Sequence, residues 1–156
     1  MAAWSDFAEN SLIDWFFRGQ AIGITGASAG AGTGPANLYV GLYTTNPTDV
    51  GGGTEVSGGS YARVQVASSL ANWAGTQSAG SSSASSGTGG TTSNNNAITF
   101  PTPSGNWGTV TGFGLFDAVS SGHLLVWGAL TTNKTVNNGD PAPLFAAGAL
   151  TFQIDN

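Results

Sequence analysis

The chain has 156 residues, 25 of them glycine, and only 7% are charged, with a formal net charge of -5. This length fits one compact domain, or one domain with an arm, and excludes a second full-sized domain. The three basic residues are Arg18, Arg63 and Lys134, too few for a basic stripe on nucleic acid or a polybasic cluster on an anionic membrane. We therefore expect neither nucleic acid nor a membrane as partner. The chain has no cysteine, which excludes disulfides and thiolate metal sites.

Residues 3–19 have the sequence pattern of an amphipathic helix. Ser5 is a favourable N-cap, and acidic residues in the first turn suit the positive end of the helix dipole. Gly19 supplies a stop signal, with Arg18 placed in the last turn. The sequence therefore predicts one N-terminal helix, within a helical arm at residues 1–20.

Apolar residues recur along this helix at turn spacing and form a stripe wider than a solvated helix would carry. Such a face is expected to be buried. It either packs on the sheet of its own domain or docks on a neighbouring subunit. For the second case the predicted contact residues are Trp4, Phe7, Leu12, Trp15 and Phe16.

A linker rich in glycine and alanine at 21–36 separates the arm from a predicted β domain at 37–156. Residues 37–44 alternate with the two-residue period of a half-buried strand. Short strands with Gly and Pro turns are typical of an antiparallel β-sandwich or jelly roll, so the predicted fold is mainly β with one N-terminal helix. The further predicted strands are 61–67, 97–100, 107–116, 122–130, 144–147 and 149–154.

The low-complexity segment 75–96 carries no large apolar residue. It has nothing to bury, so the sequence predicts a mobile loop unless the segment lies against another surface. Order in this segment would therefore favour an assembly.

Several motifs match enzyme or metal patterns without the context that those patterns need. Residues 25–32 fit a dinucleotide-binding glycine pattern, but a strand rather than a helix is predicted to follow. Asp49 and Glu55 match no calcium loop template. His123 is the only histidine, so a catalytic triad or multi-histidine zinc site would depend on it alone. We predict no enzyme, no cofactor and no metal site.

Three tryptophans of the β region, Trp73, Trp107 and Trp127, have two interpretations. An exposed indole can stack on a sugar ring, whereas a tryptophan in an alternating strand is more often part of the core. The core interpretation is favoured. Residues and motifs alone thus indicate a non-enzymatic binding or assembly protein.

The order of segments resembles a family of small structural proteins of tailed bacteriophages, labelled tail fibre or capsid cement proteins. The matching blocks cover about two thirds of the chain. They are SLIDWFFRGQ (11–20), ANLYVGLYTTNPTDVGGGTEVSGGSYARV (36–64), AITFPTPSGNWGTVTGFGLFDA (97–118) and GHLLVWGALTTNKTVNNGDPAPLFAAGALTFQID (122–155).

This resemblance implies a virion component without catalytic residues. The expected role is a capsid cement or decoration protein that binds the outer surface of the phage head as a symmetric oligomer, with a homotrimer favoured. Its expected partners are further copies of itself and the phage major capsid protein, the latter through the helical arm. The alternative is a tail fibre or receptor-binding protein that contacts a host surface glycan, and a lytic enzyme ranks third.

Overall fold

The computed structural model describes residues 4–24, 32 and 34–154. Within these residues one helix is followed by nine strands, which confirms the mainly β class with an N-terminal helix. No helix in this part of the chain is long and apolar enough to span a bilayer. The bounds are α1 Asp6–Phe16, β1 Asn37–Thr45, β2 Thr54–Glu55, β3 Val64–Ala67, β4 Thr91–Ser93, β5 Ile98–Thr99, β6 Gly108–Phe116, β7 Leu124–Val136, β8 Leu144–Phe145 and β9 Thr151–Gln153.

Helix α1 begins with the N-cap predicted from the sequence. The Ser5 hydroxyl accepts a hydrogen bond from the Ala8 amide at 3.4 Å, and the backbone of Ser5 is extended. Asp6 and Glu9 occupy the first turn, where a carboxylate interacts favourably with the helix dipole. The start of the helix is thus encoded locally.

The helix ends earlier than predicted, at Phe16, so Arg18 lies beyond the last turn rather than in it. The Gln20 amide then donates to the Asp14 carbonyl at 2.9 Å. Gly19 has a φ of 65°, and a Cβ atom at this position would collide with the Ser68 carbonyl oxygen. The requirement for glycine at position 19 therefore comes from both the positive φ and the close approach of the Ser68 carbonyl.

The largest sheet has five strands in the described residues, in the order β2-β1-β6-β7, with β3 also paired to β1. The central pairs β1–β6 and β6–β7 are antiparallel. Gly41 of β1 faces Gly114 of β6. A Cβ atom at Gly41 would lie 2.9–3.1 Å from the side chains of Phe116, Glu55 and Tyr61. These glycines leave the space that the large side chains on the same face need.

Two strands were not predicted from the sequence. One is β2, and the other is β4, which lies inside the segment predicted as a loop. Strand β4 pairs antiparallel with β9, and Thr92 faces Phe152. The Thr92 side chain is buried and donates to the Ala74 carbonyl at 2.7 Å. This strand is stabilised by pairing with β9. Because its residues are polar, its sequence has no alternation of apolar and polar residues that would predict a strand.

The described residues form two compact units. The helix unit comprises residues within 1–36, 67–98 and 145–156, and the sheet unit comprises 37–66 and 99–144. The predicted β domain begins at the unit boundary after residue 36, but residues 67–98 belong to the helix unit. The described strands form one five-stranded sheet and two two-stranded sheets. The predicted jelly roll stays a prediction. The division into arm, linker and β domain also stays a prediction, with 25–31 and 33 of the linker outside the described residues.

Each unit has its own buried apolar residues. In the helix unit these include Ile13, Phe17, Trp73, Leu150 and Phe152. In the sheet unit they include Leu38, Val40, Val110, Leu115 and Val136. The apolar face predicted for β1 is confirmed, since Leu38, Val40 and Leu42 are at most 3% exposed.

Candidate contact surfaces

Two large apolar side chains at the start of the helix region are exposed, while several polar residues of α1 are buried. Trp4 and Phe7 are 59% and 62% exposed. By contrast Glu9, Asn10 and Asp14 are buried. The other three predicted contact residues are half-buried, namely Leu12, Trp15 and Phe16. Trp4, just before the helix, and Phe7 thus present large apolar side chains to solvent, whereas polar residues of α1 lie on its buried side together with Ile13.

An ion pair explains why this polar side is buried. Arg18 Nη1 lies 2.5 Å from Asp14 Oδ1, and the Arg18 side chain is fully buried. The guanidinium also donates to the carbonyls of Ser81 and Trp73, at 2.6 and 3.3 Å. Nearly every hydrogen-bonding direction of the guanidinium is used, as a buried charge requires.

The serine-rich segment supplies the rest of this site. Ser85 donates from its amide and from its hydroxyl to Asp14, at 2.7 and 2.6 Å. Asn10 donates to the Gly87 carbonyl at 3.0 Å. The segment therefore lies on the helix of its own chain. Because this surface lies within the same chain, order in the segment does not indicate an assembly.

Sequence reasoning missed Asp14, Arg18 and Ser85 as one site. The spacing of Asp14 and Arg18 is the i, i+4 spacing of helical ion pairs and was a usable signal. No signal marked Ser85, because it is one serine among many in a low-complexity segment.

An aromatic cluster closes the core of the helix unit. Phe17 has ring-centroid distances of 5.1 Å to Trp73 and 5.0 Å to Phe152. Trp73 is 0% exposed, and its indole nitrogen has no hydrogen-bond partner among the described residues. Trp73 is therefore core, as the sequence favoured.

The sheet unit holds a second, partly buried ion pair. Arg63 makes two parallel hydrogen bonds to the Glu55 carboxylate, at 2.8 and 2.7 Å, and stacks 3.3 Å above the centre of the Phe116 ring. The Tyr61 hydroxyl donates to Glu55 at 2.9 Å and accepts from the Leu42 amide at 2.8 Å. Burial is the main cause that raises the pKa of Tyr61 above its ordinary value of 10.0. Tyr61 therefore remains a neutral hydrogen-bonding residue.

The two other tryptophans of the β region differ in access. Trp107 is 5% exposed and donates to the Gly59 carbonyl at 2.8 Å, so it belongs to the core. Trp127 is half-buried and lines a cleft of about 520 Å³ in the sheet unit. Of the three tryptophans considered for sugar stacking, Trp127 is the one that a ligand can reach.

His123 lies in the turn between β6 and β7 and pairs with Asp117, with Nδ1 2.7 Å from Oδ2. The hydrogen bond from the His123 side chain is the main cause that lowers the pKa of Asp117 below its ordinary value of 3.8. Among the described residues no group of three or more His, Asp or Glu side chains could hold a metal ion. His123 and Asp117 thus form a hydrogen-bonded pair at the surface.

Comparison with known proteins places the chain in a family. Residues 3–153 match the model of the family described as Podophage GP4 fiber I protein gp80. No curated protein matches the chain significantly. The family match covers nearly the whole sequence, including residues 21–35 and 75–96, which lie outside the blocks that carry the resemblance. The chain belongs to the Podophage GP4 fiber I protein gp80 family and is a phage virion structural protein.

Proposed function

We propose that the chain is a non-enzymatic structural subunit of a fibre on the virion, attached to its neighbours through the exposed side chains of Trp4, just before α1, and Phe7, within α1. The observation that carries this proposal is the outward orientation of Trp4 and Phe7, which are 59% and 62% exposed. Large aromatic side chains at a surface are typical anchors of protein interfaces. The family description, which names a fiber protein, supports the fibre role.

The proposed neighbours are further copies of the chain, in a symmetric oligomer for which a homotrimer remains our proposal. The fixed polar side of α1 supports this arrangement, because Asp14, Arg18 and Ser85 hold the helix in one orientation. A rigid helix presents its anchors with little entropic cost on binding. Mass measurement of the isolated protein by light scattering tests the oligomer: a monomer at all concentrations would contradict self-association.

A head-decoration role is the second candidate, in which the same residues contact the major capsid protein. The exposed residues of α1 suit this role as well, and the low charge of the chain suits a permanently covered surface. Copy number and location separate the two candidates. Electron microscopy with antibody-labelled particles should show few copies at the tail for a fibre, and many copies over the head for a decoration protein.

Removal of the predicted arm at residues 1–20 is an unsuitable test, because Phe17 and Arg18 belong to the buried interior of the helix unit. The double variant Trp4→Ala/Phe7→Ala changes only exposed residues. We expect this variant to fold and to be lost from purified virions. Leu144→Ala, which removes a 56% exposed side chain in the sheet unit, is the matched control and should be retained. Wild-type incorporation of the double variant would refute attachment through α1.

A further inference from the structure

A cleft in the sheet unit has the composition of a ligand site that the proposed attachment does not use. We call it the turn cleft; its walls are residues 48–51 and residues 122–125 with Trp127. Its volume of about 520 Å³ lies within the range of small-molecule sites, roughly 300–1,000 Å³. Its side chains include Asp49, His123 and Trp127.

The first wall of the cleft is a tight turn closed by its own backbone. The Thr48 amide donates to Gly51 O at 3.0 Å, and the Gly51 amide donates to Thr48 O at 2.8 Å. Asp49 and Val50 form the tip, and Val50 is 97% exposed. No hydrogen bond engages the Asp49 carboxylate within the described part of the chain. Its oxygens are therefore available to a ligand.

The second wall is held by the Arg63 ion pair. Arg63 Nη1 donates to the carbonyls of Ala118 and Ser121, at 2.9 and 2.8 Å. Asp117 accepts from the His123 amide at 2.7 Å and fixes Nδ1 of the same residue. The imidazole is thus oriented, its Nε2 atom has no hydrogen-bond partner among the described residues, and its side chain is 86% exposed. Preorganisation of this kind lowers the cost of binding.

The third element is the half-buried indole of Trp127. A flat apolar ring beside a carboxylate and an imidazole suits a ligand with an apolar face and hydroxyl groups at its edge. A sugar ring has this chemistry. The two carboxylates near His123, those of Asp49 and Asp117, disfavour an anionic sugar by charge repulsion.

We propose that the turn cleft binds a neutral saccharide, with Trp127 stacking on the sugar ring and with Asp49 and His123 bonding its hydroxyl groups. The proposal relies on the proposed fibre role only for the source of the saccharide, a host surface. Binding is measured on the isolated protein, whereas the fibre role is tested on virions. Failure of one is therefore distinguishable from failure of the other.

The test is NMR titration of the full chain with glucose, galactose, mannose and N-acetylglucosamine, each added separately. At least one sugar should shift the indole signal of Trp127 and the imidazole signals of His123. Asp49→Ala should weaken the binding of that sugar about tenfold, which corresponds to the loss of one hydrogen bond to a charged group. The Asp49 side chain makes no hydrogen bond to any described residue, so this variant should keep the fold. Trp127→Ala should abolish binding.

Trp4→Ala is the matched control, since it removes an exposed indole from the helix unit, and it should bind the sugar like the wild type. The proposal is overturned if none of the four sugars shifts the two signals at tens of millimolar. Unchanged affinity in Asp49→Ala would overturn it too. An equal loss in Trp4→Ala would assign the binding to the helix unit instead.

Discussion

Replacement of Arg18 by methionine should destabilise the helix unit by about 3–5 kcal/mol. The Arg18 side chain is 0% exposed and pairs with a side chain, that of Asp14, which is 10% exposed. Methionine fills much of the same volume but leaves the carboxylate without its cation. Loss of one partner of a buried ion pair costs about 3–5 kcal/mol. For a chain of this size each kcal/mol lowers the melting temperature by about 2–4 °C, so we expect a decrease of roughly 6–20 °C.

Thermal unfolding followed by circular dichroism measures the decrease, and hydrogen exchange at the Ser85 amide localises it. That amide donates to Asp14 Oδ2 at 2.7 Å and should exchange faster in the variant. The double variant Asp14→Asn/Arg18→Met should lose less stability than the two single variants together, by about 1–3 kcal/mol. A loss below about 1 kcal/mol for Arg18→Met would refute the buried-charge reasoning. Strict additivity of the two substitutions would also refute it.

Three further outcomes test the structure elsewhere. Gly19→Ala should cost more stability than Gly139→Ala in chemical denaturation, because both glycines have positive φ values but only the first faces a carbonyl in close approach. Equal costs would contradict the role of that approach. Because Tyr61 has a raised pKa in the fold, its contribution to stability should be complete below pH 10.0 and decline above it. Tyr61→Phe should remove part of this alkaline dependence, and an unchanged profile would contradict it. The Asp117 carboxyl, followed by NMR, should titrate below 3.8, so its contribution is lost only as the pH falls through that lowered pKa. His123→Ala should move the titration upward.

Local signals were sufficient for the elements that bury apolar residues. The N-cap at Ser5 and the alternation of β1 both appear in the structure as predicted. The predicted strand at 107–116 corresponds to β6 within one residue. In these segments the chemistry of the chain and the burial pattern coincide, so pattern reading succeeds.

The orientation of α1 could not be predicted in the same way. Its apolar stripe suggests burial of the apolar side, yet the polar residues Asp14 and Asn10 are buried beside Ile13, and Phe7 is exposed. The determining contacts come from Ser85 and Gly87, which lie more than 70 residues further along the chain. A hydrophobic pattern reflects local amphipathicity and gives no information about a polar partner that is distant in sequence.

The turn cleft was only partly predictable. His123 was expected in a turn, and Trp127 was one of three tryptophans with two interpretations. The sequence does not show that Asp49 and His123 line the same cleft. Asp49 follows β1 and His123 lies between β6 and β7, and only the folded structure places residues 48–51 beside His123.

The aromatic cluster of Phe17, Trp73 and Phe152 has a consequence for biosynthesis. The three rings come from the beginning, the middle and the far end of the sequence, and β4 receives its partner only from β9. During synthesis, therefore, the helix unit cannot close until residue 153 has been translated and released from the ribosomal tunnel. Until then the core of the helix unit is incomplete, so Trp4 and Phe7 are not held in position. The attachment surface is therefore fixed in position only after β9 has been synthesised.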